Sequence, residues 1–158
     1  MTRQDALNTI WKRLFIVLCA SLLVCVIVFF AAPPGQIAIL VFLIGNIGGY
    51  VSVHRGLSEL TDGEVIGLSS SWWSIIVPSF IGGVLALALY VLFLSNILSG
   101  DLFPKWESKA NGSQGPEAFL TVYAVDMASY AKLYFWSFVA GFNQKYVVDI
   151  INSVKGKP

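Results

Sequence analysis

The sequence predicts an all-α integral membrane protein, with four transmembrane helices joined by short interfacial helices. Three observations predict it. First, residues 14–32, 37–53 and 72–98 carry no charged side chain. Each run approaches or exceeds the roughly 20 apolar residues a helix needs to cross a hydrocarbon core about 30 Å thick. Second, a fourth run, 119–142, is nearly as apolar but contains Asp126 and Lys132. Third, of 158 residues 56% are hydrophobic and only 12% charged, against about 25% charged in an ordinary soluble domain. The connectors are short, so nothing outside the apolar runs could build its own core. Residues 1–158 therefore read as one transmembrane domain.

The first run follows Arg3, Lys12 and Arg13, the charge order of a signal peptide. It is longer than a signal core, however, and Pro33-Pro34-Gly35 leads straight into the next apolar run, so a retained anchor is expected. Cys19 and Cys25 lie inside it. Six helical steps separate them by about 9 Å of rise and put them on different faces, so they cannot pair with each other. Pro33 and Pro34 cannot continue a helix and Gly35 permits a turn, which makes the first two crossings a tight hairpin.

The second run has Gly45, Gly48, Gly49 and Ser52 at i, i+3, i+4 and i+7, one helical face. The third has Ser74, Pro78, Gly82 and Ala86 in steps of four, flanked by Ser79 and Gly83, with a kink expected at Pro78. Lipid tails are as apolar as leucine, so small residues that let backbones approach are what bring such helices together. Gly45, Gly49, Ser52, Ser74, Gly82 and Ala86 are accordingly candidates for packing within the chain or for contact in a homo-oligomer. Asn46 has an amide that needs a partner in hydrocarbon, an interhelical hydrogen bond for instance.

Between these runs, residues 54–71 combine Leu57, Leu60, Val65, Ile66 and Leu68 with Glu59, Asp62 and Glu64. Thr61 and Glu64 fit a capping box, and a short interfacial helix or two is expected. Residues 100–117 are polar and rich in Gly, Pro and Ser. They include Asn111-Gly112-Ser113, a glycosylation sequon that matters only in a eukaryotic secretory setting.

The fourth run has two faces. One arc gathers Thr121, Asp126, Ser129, Lys132 and Ser137; the other gathers Tyr123, Met127, Tyr130, Tyr134, Phe135 and Phe138. Charge in a span costs roughly 2.5–3.5 kcal/mol per residue at the centre. Asp126, Ser129 and Lys132 are thus read as intramembrane polar residues facing the bundle or water. The competing reading is that the true crossing starts later, leaving Asp126 among headgroups while Lys132 snorkels. After Gly141, Tyr146, Val147, Ile150, Ile151 and Val154 alternate with Asn143, Gln144, Lys145, Asp149 and Asn152, an amphipathic tail over 143–155.

The charges give an orientation. Arg3, Lys12, Arg13, Arg55, Lys145, Lys155 and Lys157 fall on one side and only Lys105 and Lys109 on the other, so four crossings with both termini cytoplasmic are expected. Trp11, Trp72 and Trp73 then sit at the inner boundary and Trp106 at the outer one.

Ser99-Gly100-Asp101-Leu102-Phe103-Pro104 and FWSFVAGFNQKYVVDII at 135–151 carry a resemblance. The second resembles the end of small bacterial inner-membrane proteins in which an AGF-Ser-Glu-Arg-hydrophobic-Val-Pro-Asp pattern follows the last crossing. Ala140, Gly141, Phe142, Val148 and Asp149 fit it. Gln144 stands where the acid usually is, Lys145 where the Arg is, and Val147 or Val148 where the Pro is. Some proteins of this general kind look like membrane components of anti-phage defence, such as the membrane subunit of the Kiwa system. The resemblance implies a bacterial inner membrane and a defence setting.

No enzyme signature, phosphate loop or nucleophile elbow stands out, and His54 has no partner set for a metal. No cofactor and no enzymatic activity are expected. With a net charge of +1 and no basic stripe, no nucleic-acid contact is expected either. The expected function is an anchoring or sensing subunit of an oligomeric assembly that docks a cytoplasmic partner through loop 55–71 and the tail, using Glu59, Asp62, Glu64, Lys145, Tyr146 and Ile150. The alternative is a homo-oligomeric pore lined by the polar face of the fourth helix.

Overall fold

A computed structural model of the chain describes residues 2–31, 35–57, 60–106 and 122–144. Among them are five helices and no strand: α1 (Arg3–Ala31), α2 (Gln36–Gly56), α3 (Asp62–Ser70), α4 (Trp73–Leu94) and α5 (Met127–Phe142). Three, α1, α2 and Ile76–Leu94 of α4, are long and apolar enough to cross a membrane. The described residues are thus all-helical in class, and the chain is of membrane-embedded character.

α1 begins well before the apolar run that dominates it. Its 29 residues span about 43 Å, more than a hydrocarbon core requires. The extra turns have a reason. Thr2 and Asp5 cap the start reciprocally, the Thr2 N–H and hydroxyl donating to the Asp5 carboxylate while the Asp5 N–H donates to the Thr2 hydroxyl. Ala6, Ile10 and Leu14, in steps of four, are then fully buried against Leu57 and Val65. The upper half of α1 is different: Phe15, Leu23 and Phe30 are 63%, 62% and 80% exposed. Such a surface suits lipid rather than water.

Gly35 makes the turn into α2 at φ 76°, a left-handed conformation that glycine adopts without a Cβ penalty. The Gln36 side-chain amide closes the hairpin by donating to the Phe29 carbonyl, one of the last in α1. α4 ends at Leu94, earlier than the run 72–98 predicts. Ser95 caps it and Asn96 turns left-handed at φ 55°. Asn tolerates that region better than most residues, and the helix stops there.

The largest departure is α5. The sequence places a crossing over 119–142. Instead, Asp126 is extended at φ −150°, and its carboxylate accepts the Ser129 N–H at 2.7 Å, so that it caps a helix of only 16 residues. At about 24 Å it is shorter than a bilayer core. The apolar count could not register that Asp126 gains more as a cap than as a helical residue in lipid. Four spans are therefore not reproduced, although α5 packs lengthwise between α2 and α4. The tail 143–155 lies outside the described residues beyond Gln144.

Candidate functional site

Two regions gather the residues the sequence singles out. The first is a glycine seam where α2, α4 and α5 meet. A Cβ on Gly45 would lie 2.5 Å from the Ala86 methyl and 2.7 Å from the Gly82 carbonyl oxygen. One on Gly49 would lie 2.9 Å from the Pro78 carbonyl oxygen and from Ser79 Cα. Gly48 points elsewhere, into the backbone of α5 at Phe138 and Phe142. Gly141 completes the seam, touching Gly45 and Gly49 backbone atoms. The small face of α2 therefore meets two helices rather than one, and Gly45, Gly49, Gly82 and Ala86 pack inside the chain. Ser52 and Ser74 are half-buried. Gly141 was legible only as part of the C-terminal resemblance; the small pair Ala140-Gly141 amid aromatic residues is the signal of its packing role.

The polar face of α5 turns inward at Ser129 and Ser137, each 2% exposed. Ser137 donates to the Leu133 carbonyl and Ser129 accepts the Lys105 N–H at 3.1 Å. Lys132 is half-buried, its Nζ donating to the Asp101 carbonyl at 2.5 Å, and Trp136 Nε1 donates to the Leu102 carbonyl at 3.0 Å. These bonds hold segment 100–106 against α5, where Phe103 packs between Phe93 and Trp136 and Trp106 meets Tyr90 edge-on. Asp126 is exposed at the helix start. Asn46 is half-buried on α2. Beside Lys105, the Asp101 carboxyl is held below its ordinary range by that ammonium.

The second region lies at the other end, where α3 docks on α1. Thr61 and Glu64 form the expected capping box: the Thr61 N–H and hydroxyl donate to the Glu64 carboxylate at 2.8 and 2.7 Å. Those bonds lower the Glu64 pKa below its usual value. Val65 enters the core with Ala6, Ile10, Leu14 and Leu57. Arg13 locks the far end, donating from Nη1 to the Ser69 carbonyl at 2.8 Å and lying 4.9 Å over the Trp72 ring. Asp62 pairs with Arg3 at 3.2 Å, a contact absent from the sequence reading because it joins residues far apart in the chain. Asp62, Glu64 and Ile66 remain exposed. Glu59, Lys145, Tyr146 and Ile150 lie outside the described residues.

Beside this platform is a cavity of about 440 Å³ lined by Arg3, Leu7, Trp11, His54, Arg55 and Leu57. The His54 ring stands edge-on to Trp11 at 4.4 Å, and the Arg55 guanidinium lies 5.8 Å over Phe142. A wholly apolar cleft of about 330 Å³ separates the upper half of α1 from α2, with Tyr134 at one side. Among the described residues, no group of three or more His, Cys, Asp and Glu could hold a metal ion. Comparison with protein-family models, with characterised proteins and with solved structures finds no match.

Proposed function

We propose that the chain is a membrane-embedded anchoring or sensing subunit of an oligomeric assembly, and that it docks a cytoplasmic partner on α3. The observation that carries this reading is the second core. Residues that merely link two spans could remain a solvated loop. Here they form a helix capped at one end by Thr61, pinned at the other by Arg13 and seated through Val65. What that rigid mount presents is a mixed face, the carboxylates of Asp62 and Glu64 beside Ile66, which is 39% exposed. A fixed surface loses less entropy on binding than a floppy one, which is the advantage of such a mount.

In this reading the N-terminus and α3 are cytoplasmic, as the charge distribution favours. α5 would complete a fourth, shortened crossing and bring the C-terminus to the same side, so that the tail, with Lys145, Tyr146 and Ile150, could add to the docking surface. Because Gly45, Gly49, Gly82 and Ala86 pack inside the chain, a homo-oligomer would use the exposed faces of α1 and α4 instead. The bacterial inner membrane and the defence setting rest on the C-terminal resemblance. The pore alternative gains no specific support, since Ser129 and Ser137 are covered by the bundle and Lys132 is bonded to segment 100–106.

A photo-crosslinking residue at Gly67, which is exposed and has open space around it, tests the docking. It should capture one defined cytoplasmic protein, and Ile66→Asp should abolish the adduct. A monodisperse monomer in mild detergent that yields only lipid adducts at position 67 would count against both docking and assembly.

A further inference from the structure

We infer that Asn46 joins two copies of this chain, its side-chain amide pairing inside the bilayer with the same amide of a second copy. The inference rests on the assembly proposed above and names a residue that holds it together. α2 has 21 residues from Gln36 to Gly56, and Asn46 is its midpoint. It therefore lies about 15 Å from either end of the span. Its amide carries two N–H donors and a carbonyl acceptor. No hydrogen bond of that side chain is present among the described residues. The residue is half-buried, so the amide is open on one side. Ser129 and Ser137 differ in both respects, being buried and hydrogen-bonded.

The open side faces out of the bundle. Gly48 faces α5, and the two helical steps between Asn46 and Gly48 turn the chain by about 200°, so Asn46 points away from α5. Phe42 lies one turn earlier on the same face. It covers Gly83 and meets the Phe80 ring edge-on at 5.3 Å. Phe80 belongs with Val77 and Val84 to an exposed apolar strip of α4. The amide thus opens beside the face of α4 on which assembly would form. What could satisfy it there is limited. The hydrocarbon core holds no water, and an unbonded amide within it is costly. Lipid carbonyls and phosphates lie at the surfaces of a core about 30 Å thick, too far to reach its middle. The partner is therefore a protein group at the same depth. Copies of one chain share one orientation in a membrane, and a symmetry axis along the membrane normal brings each residue to the level of its counterpart. An amide also complements itself, since each of the pair can donate an N–H and accept at its carbonyl. A second copy meets both requirements at once.

The test is crosslinking of the full chain in a Cys19→Ala/Cys25→Ala background, in native membranes and in lipid vesicles. Ile39 is exposed and lies two turns from Asn46 on the same face. A short bis-maleimide should give a dimer through Ile39→Cys and not through Phe135→Cys, an exposed position on α5. Adding Asn46→Leu should raise the protein-to-lipid ratio needed for half the dimer by roughly 5- to 30-fold. Asn46→Gln keeps the amide and should restore most of the yield. Asn46→Ala only removes atoms, so it reports if leucine disturbs the fold, and it should behave as leucine does. Undiminished dimer in Asn46→Leu and Asn46→Ala would overturn the inference and leave the assembly standing. So would a dimer through position 135 and not 39, or through both alike. An adduct at position 39 whose mass is not twice that of the chain would assign the amide to a different membrane protein and overturn the pairing of copies. No adduct at either position, with monomers in the vesicles, would overturn the inference and the assembly together.

Discussion

Replacing Gly82 by alanine should loosen the whole bundle, because the added methyl has no flexible neighbour to push aside. It would lie 2.6 Å from the Gly45 carbonyl oxygen, 3.0 Å from Gly49 Cα and 3.1 Å from Gly141 Cα, all backbone atoms. Ordinary contact begins at 3.4 Å, so α2 and α4 must part by about 0.8 Å. A gap of about 0.5–1 Å already forfeits a quarter to a half of each dispersion contact it opens. In lipid those contacts, not hydrophobic burial, hold helices together. Overpacking of this kind costs about 1–3 kcal/mol, and three helices share the strain, so the upper part of that range is expected. Gly67→Ala is the control: it sits in α3 with open space around it. In a solvated helix it should be neutral or stabilising by about 0.5–1 kcal/mol. Thermal unfolding in mild detergent, followed by size-exclusion of the surviving fold, would show Gly82→Ala falling while Gly67→Ala holds or rises. A Gly82→Ala protein as heat-resistant as the parent would refute the seam.

Three further outcomes follow from particular contacts. Arg13→Ala removes a charge-assisted hydrogen bond to Ser69 and a ring contact with Trp72. It should cost about 2 kcal/mol of α3 docking, read as roughly 30-fold faster amide exchange across 65–69. Arg13→Lys should restore only part of this, since an ammonium lacks the planar fork. Ser79→Ala deletes a buried hydroxyl with no partner among the described residues. It should leave stability unchanged or raise it by about 1 kcal/mol; a clear loss in the same thermal assay would show that the hydroxyl is bonded. Glu64 titrates below its ordinary 4.5 because Thr61 donates to its ionised form. Its contribution to the cap is therefore full above that value and is lost as pH falls through the lowered folded pKa. Exchange protection at the start of α3 should drop in that acid window in the parent and not in Glu64→Gln.

Much of this was readable because it depends on local pattern. Three apolar runs gave α1, α2 and α4, Thr61 and Glu64 gave the start of α3, and Gly35 gave the first turn. Spacing also marked Gly45, Gly49, Gly82 and Ala86 as contact residues. It could not say that α2 divides its small face between α4 and α5, since that depends on where two distant segments meet. Hydropathy likewise merged residues 122–126 with the helix that follows, because it counts apolar side chains and is blind to a carboxylate bonding a backbone N–H. The long amphipathic start of α1 was masked by the apolar run beyond it; its purpose is visible only with α3 in place.

The central claim is that α3 and the start of α1 form a cytoplasmic platform at the inner end of the spans. Single cysteines at Gly67 and at Leu102, in a Cys19→Ala/Cys25→Ala background, test it most directly with a membrane-impermeant maleimide. Position 102 should label in intact cells, and position 67 only after permeabilisation. Labelling of position 67 in intact cells, with position 102 protected, would place the platform outside and contradict the account.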